Sequence, residues 1–164
     1  MSRSTRVIVI LCAFLLACRS DPVAPGAQVP EAEPAYRSVA SVKEVMLSIL
    51  DPAADAIWDS AGFIITEEGE TDLSPTSEEG WTAVRSNAVV VAESGNLLMM
   101  PGRALGPDWV AFSEALITSG RQAIEAAEAR DASALFDAGG EVYQACRACH
   151  DRFMVQVSGT NGAR

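Results

Sequence analysis

Near the C-terminal end of this 164-residue chain stands Cys146-Arg147-Ala148-Cys149-His150, which contains the single histidine of the sequence. Cys146, Cys149 and His150 are spaced i, i+3, i+4, so on a helix both thiols and the imidazole face the same way. In an exported chain this spacing reads as the attachment point of a c-type haem. Each thiol would add to one vinyl group of the macrocycle, and His150 would coordinate the iron as proximal ligand. The rest of the chain then has to enclose a flat, largely apolar group, and this constrains the fold more than any property of the composition.

Two other chemistries use paired thiols. Structural zinc usually takes four protein ligands, and this chain has no second Cys/His pair after the N-terminal segment. A thioredoxin-like dithiol usually opens a helix that follows a strand, where the helix dipole lowers a thiol pKa. Here the pair stands near a helix C-terminus, with no strand pattern before it. Haem fits this arrangement better than either, with a zinc-binding lipoprotein kept as the remote alternative.

The N-terminal stretch is an export segment. Arg3 and Arg6 precede an apolar run at 7–16, too short to span a bilayer at about 1.5 Å rise per residue. Leu15-Leu16-Ala17-Cys18 resembles a bacterial lipobox, which implies cleavage before Cys18 and lipidation of that residue. An ordinary signal peptide leaving a soluble periplasmic protein is the alternative. Residue 19 is Arg rather than Asp, so by the same resemblance the chain lacks an inner-membrane retention signal. Residues 18–37 carry four of the eight prolines among Ala, Gly and acidic residues. Such a stretch buries little apolar area and reads as a spacer. The expected organisation is therefore a signal peptide at 1–17, a lipid-anchored tether at 18–37 and a folded domain at 38–164.

That domain reads as all-α. Val39, Val42, Met46, Ile49, Ala53 and Ala56 repeat by threes and fours, the spacing of a buried helix stripe, with Trp58 and Phe63 adding bulk at its far end. Pro52 interrupts the stripe, because it cannot donate to the Ser48 carbonyl and its ring clashes there. This predicts a kink near 50–52, or a break with Asp51 capping a second short helix. Residues 67–75 are polar and predict a loop. Thr76 and Glu79 fit a capping box for a second helix whose stripe is Trp81, Val84, Ala88, Val91, Gly95 and Leu98. Pro101-Gly102 stops it. Asp108 is a candidate cap for a third helix, with Trp109, Phe112, Leu116, Ala123 and Ala127 inward. Asp131 is a candidate cap for a fourth. On that fourth helix Leu135, Gly139, Val142, Cys146, Cys149 and Phe153 lie within about 40° either side of one line. Gly139 and Gly140 call for a reason, since glycine inside a helix costs about 1 kcal/mol relative to alanine. Close approach of the macrocycle or of another helix would supply one, and a simple packing notch is the other reading. No alternating run predicts a strand. Four amphipathic helices of this length predict an antiparallel four-helix bundle carrying haem on its C-terminal helix.

Net charge is −10 and becomes −12 once residues 1–17 are removed, because that segment holds two Arg and no acid. This argues against a nucleic-acid-binding protein, which wants basic patches. The acidity serves solubility or docking onto a basic redox partner. No catalytic constellation is visible, and no second histidine is present to act as a base. Trp58, Trp81 and Trp109 read as core.

Taken together, motif and helices resemble the class II c-type cytochromes, the cytochrome c-prime family, which place the haem motif at the end of the fourth helix. The strongest match runs from Ala129-Arg130-Asp131-Ala132 through Leu135-Phe136 to Val142-Tyr143-Gln144-Ala145-Cys146-Arg147-Ala148-Cys149-His150-Asp151-Arg152-Phe153. Phe153 matches the family's aromatic residue after the histidine, whereas Met154 replaces the basic residue that often follows. The 67–75 loop, Pro52 and the lipid anchor also depart from the small soluble members. The resemblance implies that the first helix covers the distal haem face. Some members place an apolar side chain there and bind small gases at a five-coordinate iron. Low-spin relatives use a methionine and transfer electrons. Met46 stands at about that place, as distal ligand or as gap-filling core. Met99 and Met100 are outside candidates, and Met154 lies on the haem helix itself. Members of the family commonly dimerise through the first two helices.

Overall fold

The computed structural model describes residues 36–160. The signal peptide, Cys12, the candidate lipidation residue Cys18 and all but the end of the tether lie outside these residues. The expectation of helices holds, with one addition. The first helical segment is continuous from α1 (Val42–Val45) through a π-helical turn (Met46–Leu50) into α2 (Asp51–Trp58). A hairpin of β1 (Phe63–Thr66) and β2 (Gly69–Asp72) follows, then three long helices: α3 (Glu78–Met99), α4 (Pro107–Ala129) and α5 (Ala132–Thr160). None of the helices among the described residues is long and apolar enough to cross a membrane.

The helices pack as antiparallel neighbours. Trp109 Nε1 donates to the Leu98 carbonyl at 2.8 Å near one end of the α3–α4 pair, and Arg85 meets Glu128 at 2.7 Å near the other. Small residues bring these two helices close. A Cβ on Gly120 would stand 2.7 Å from the Ala92 nitrogen, and one on Gly95 would stand 2.6 Å from the Ser113 carbonyl oxygen. α5 returns along α4, with the Phe153 ring edge-on to Trp109 at 5.0 Å. The core between the segments is Val45, Ile57, Val91, Leu135 and Val142, with alanines filling the narrow places. The stripes read for the second, third and fourth helices point inward as expected, Phe112, Cys146, Cys149 and Phe153 being half-buried and the others buried.

The first segment departs from its expected stripe. Val39 precedes the helix and is fully solvent-facing, while Val42, Met46, Ile49 and Ala56 are half-buried at the flank. The residues that face the core are Val45, Leu50, Ala53, Ala54 and Ile57. The cause is Pro52. It neither breaks nor sharply caps the helix. The preceding turn widens instead, so that the Asp51 N–H bonds to the Met46 carbonyl, five residues back. One extra residue in a turn rotates everything before it by about 100° relative to a regular helix. The step from Val45 to Leu50 is that π turn, and a search for threes and fours passes over it.

The 67–75 segment is not a plain loop, and strands are present after all. Phe63 pairs with Asp72 and Ile65 with Glu70 in an antiparallel ribbon, closed by Glu67-Glu68 between Thr66 and Gly69. The strands are only four residues each, and the apolar ones run consecutively rather than alternating, so the period-two pattern never forms. The glycine follows the two-residue turn instead of occupying it, which hides the usual hairpin signature. Phe63 therefore belongs to the ribbon, 60% exposed, and not to the end of the first helix.

Two helix starts also shift. Ser77, not Thr76, caps α3, its hydroxyl accepting from the Gly80 N–H at 3.1 Å. Gly106 occupies the cap position of α4, and Asp108 stands in the first turn paired with Arg152 at 3.1 Å. Asp131 does cap α5, accepting from the Ala134 N–H at 3.0 Å.

Candidate haem-attachment face

Cys146, Cys149 and His150 lie on one uninterrupted helix, α5, and Cys146 packs against the core. Both thiols are free and half-buried, and the imidazole is exposed. Burial pushes the Cys146 thiol up from its ordinary pKa, followed by the neighbouring Cys149 and then the Asp51 carboxylate. Burial raises Cys149 as well. Protonated thiols of this kind lack the depressed pKa of a redox dithiol.

The same observations fix how the first segment runs beside α5. Trp58 Nε1 donates to the Gly139 carbonyl at 2.9 Å, while Asp51 is the carboxylate that acts on Cys146. Trp58 to Asp51 and Gly139 to Cys146 are equal steps in opposite directions along the two helices. α5 packs on α2, and the π turn packs on α3. The pair is clasped at Trp58–Gly139.

Gly139 owes its place to this clasp. A Cβ there would meet the Trp58 ring at 3.3 Å, whereas one on Gly140 would meet nothing within 4 Å. Close approach of another helix therefore accounts for Gly139, and nothing in the structure explains Gly140. Trp81 and Trp109 are buried and Trp58 half-buried, as expected of core tryptophans. Met46 packs against the edge of the core. Met99 and Met100 are half-buried, and Met100 lies beyond the end of α3. Met154 is 58% exposed on α5. Two surface clefts, of about 510 and 330 Å³, lie elsewhere, and neither is lined by Cys146, Cys149 or His150.

The donor set suits covalent haem. A tetrahedral metal needs donors converging on one point, and among the described residues no three His, Cys, Asp or Glu side chains do so. Thioether formation asks for something different: two thiols one turn apart along the edge of a planar group, with an imidazole beside them. Cys146, Cys149 and His150 supply it.

Arg103 is a residue that sequence reasoning passed over. It follows the Pro101-Gly102 turn, yet it is only 7% exposed. Nη1 donates to the Leu97 carbonyl at 2.9 Å and to Met100 Sδ at 3.3 Å, and Nη2 donates to the Ala40 carbonyl at 3.0 Å. Three segments create this burial, so no local spacing could have marked it.

Comparison with protein families, curated proteins and solved structures gives no match to this chain.

Proposed function

We propose that this chain is a c-type cytochrome that carries one haem and transfers electrons in a bacterial cell envelope. The observation that carries the reading is the presentation of Cys146, Cys149 and His150 along one continuous helix, α5. In this reading Cys146 and Cys149 hold the macrocycle as thioethers, and His150 and Met46 are the axial ligands. The bound haem supplies a one-electron couple at its iron, with no bond to substrate made or broken. The chain contributes position and exclusion: the first segment covers one face, α3 backs that segment, and a thioether ligand at Met46 would raise the reduction potential. The similarity to the class II c-type cytochromes is part of this proposal.

The partner is proposed from charge. Between residues 44 and 84 the chain carries ten Asp and Glu and no Lys or Arg. This segment suits a basic redox protein, whose encounter such a field would steer. Lipidation at Cys18 would hold the domain on the periplasmic side of a membrane.

A pyridine haemochrome assay on protein matured in a host with c-type assembly machinery tests the reading. One covalent haem per chain is expected, abolished in Cys146→Ala/Cys149→Ala. Absence of covalent haem from the wild type would overturn it. The oxidised spectrum should be low-spin, turning high-spin in Met46→Ala. A second reading rests on Met46 packing against the core edge: a five-coordinate iron that binds carbon monoxide or nitric oxide. A high-spin wild-type spectrum selects it.

A further inference from the structure

Arg103 is more than nine-tenths buried, and its Nε has no hydrogen-bond partner among the described residues. Its three bonds run to two backbone carbonyls and a thioether sulfur, all uncharged. The ion pairs formed among the described residues use Arg85, Arg130, Arg147 and Arg152 instead. An uncompensated buried cation is strongly destabilising, whereas a hydrogen-bonded carboxylate beside it offsets the cost of its burial. Capping the end of α3 makes use of the charge, but it leaves the buried Nε–H without a partner.

Its location says where the missing carboxylate comes from. Arg103 ties the end of α3 to Ala40, just before the first segment begins. Trp109, in the next helix, bonds Leu98 and meets Phe153, one turn beyond Cys149 and His150. Arg103 therefore sits at the end of the bundle to which the attachment face belongs, and its partners lie at the end of α3 and just before the first segment rather than on α5. Haem carries its two vinyl groups and its two propionates on opposite edges. With the vinyl edge fixed to α5, the propionate edge points away from α5.

We infer that Arg103 is the buried anchor for a haem propionate, with its Nε–H donating to the carboxylate. This rests on the haem reading above and adds a recognition residue to it. The guanidinium fork suits this role better than an ammonium, because two of its nitrogens remain bound to Leu97 and Ala40 while the third faces the ligand.

The test uses the holoprotein and three variants: Arg103→Gln, Arg103→Lys and, as a surface control, Arg152→Gln. Pyridine haemochrome first establishes that haem is attached. Resonance Raman spectra then read the propionate-bending band, and redox titration reads the potential. The band should shift in Arg103→Gln and stay in place in Arg152→Gln. The potential should fall when the cation is lost and recover in large part in Arg103→Lys. A purely structural role moves stability but not the propionate band. Should Arg103→Gln fail to fold, the band in Arg103→Lys decides, because lysine cannot reproduce the Nε–H contact. Attached haem with an unmoved band and potential overturns the Arg103 assignment and leaves the cytochrome reading standing. Absence of haem overturns both.

Discussion

Ser41 and Glu44 exchange hydrogen bonds at the start of α1. The Ser41 N–H and hydroxyl donate to Glu44 Oε2 at 2.8 and 2.6 Å, and Ser41 Oγ accepts from the Glu44 N–H at 3.2 Å. This is the capping box expected one helix later, at Thr76 and Glu79. Ser41-Val42-Lys43-Glu44 has the same spacing, but the longer stripe reading carried the helix start back past it. The bonds from Ser41 hold the Glu44 carboxyl below its ordinary pKa. Bonds from Ser74 do the same for Asp72. The folded value lies below the unfolded one, so this stabilisation is complete above the ordinary carboxylate range and is lost as pH falls through that range and below. Thermal midpoints of wild type and Glu44→Gln should therefore differ at neutral pH and converge as pH falls below the carboxylate range. A gap that persists in acid would refute the assignment. At this scale the placement of Cys146, Cys149 and His150 on one helix was legible, because i, i+3, i+4 spacing needs no tertiary knowledge. Arg103 was not, since its burial depends on Ala40, Leu97 and Met100 meeting in space.

Among the elements, α3, α4 and α5 followed from their periodicity, because long regular stripes express one repeat throughout. The first segment did not, because Pro52 shifts the repeat in mid-helix, and the ribbon did not, because its strands are too short to show a pattern. Glycines separate close packing from open surface in a way a sequence cannot. Gly120→Ala should destabilise the domain by about 1–3 kcal/mol, because the new methyl meets the α3 backbone rather than a movable side chain. Gly140→Ala, in the haem-free chain, should stabilise it by up to about 1 kcal/mol, since the methyl enters open space and removes glycine's entropic penalty. Urea unfolding midpoints distinguish the two. Equal effects would mean that α3 and α4 are less closely packed than described. The Trp58–Gly139 bond belongs to this scale too. It clasps α2 to α5.

For the molecule as a whole, the acidic stretch from 44 to 84 makes a prediction about association. Electron exchange with a lysine-rich redox protein should slow steeply as salt is added, because exposed charges are screened beyond roughly 10 Å at 0.1 M. A salt-independent rate would remove the case for charge-guided docking. The same acids bear on how copies of the chain coexist. β1 and β2 form a two-stranded sheet, and such a ribbon offers unpaired backbone groups along its outer edges, a template on which another strand can add. Phe63, Ile64 and Ile65 are all more than half exposed on it, with Asp72 and Glu70 as the cross-strand partners of the first and third. The carboxylates thus act as a spacer between like ribbons. Glu70→Gln/Asp72→Asn should scatter light at concentrations where the wild type stays clear, and adding Ile65→Asp should restore clarity. If lipidation confines the protein to a membrane plane, neighbours would be crowded together with their ribbons at similar heights. Repulsion between hairpins would then decide whether the molecules diffuse as individuals or knit into a sheet.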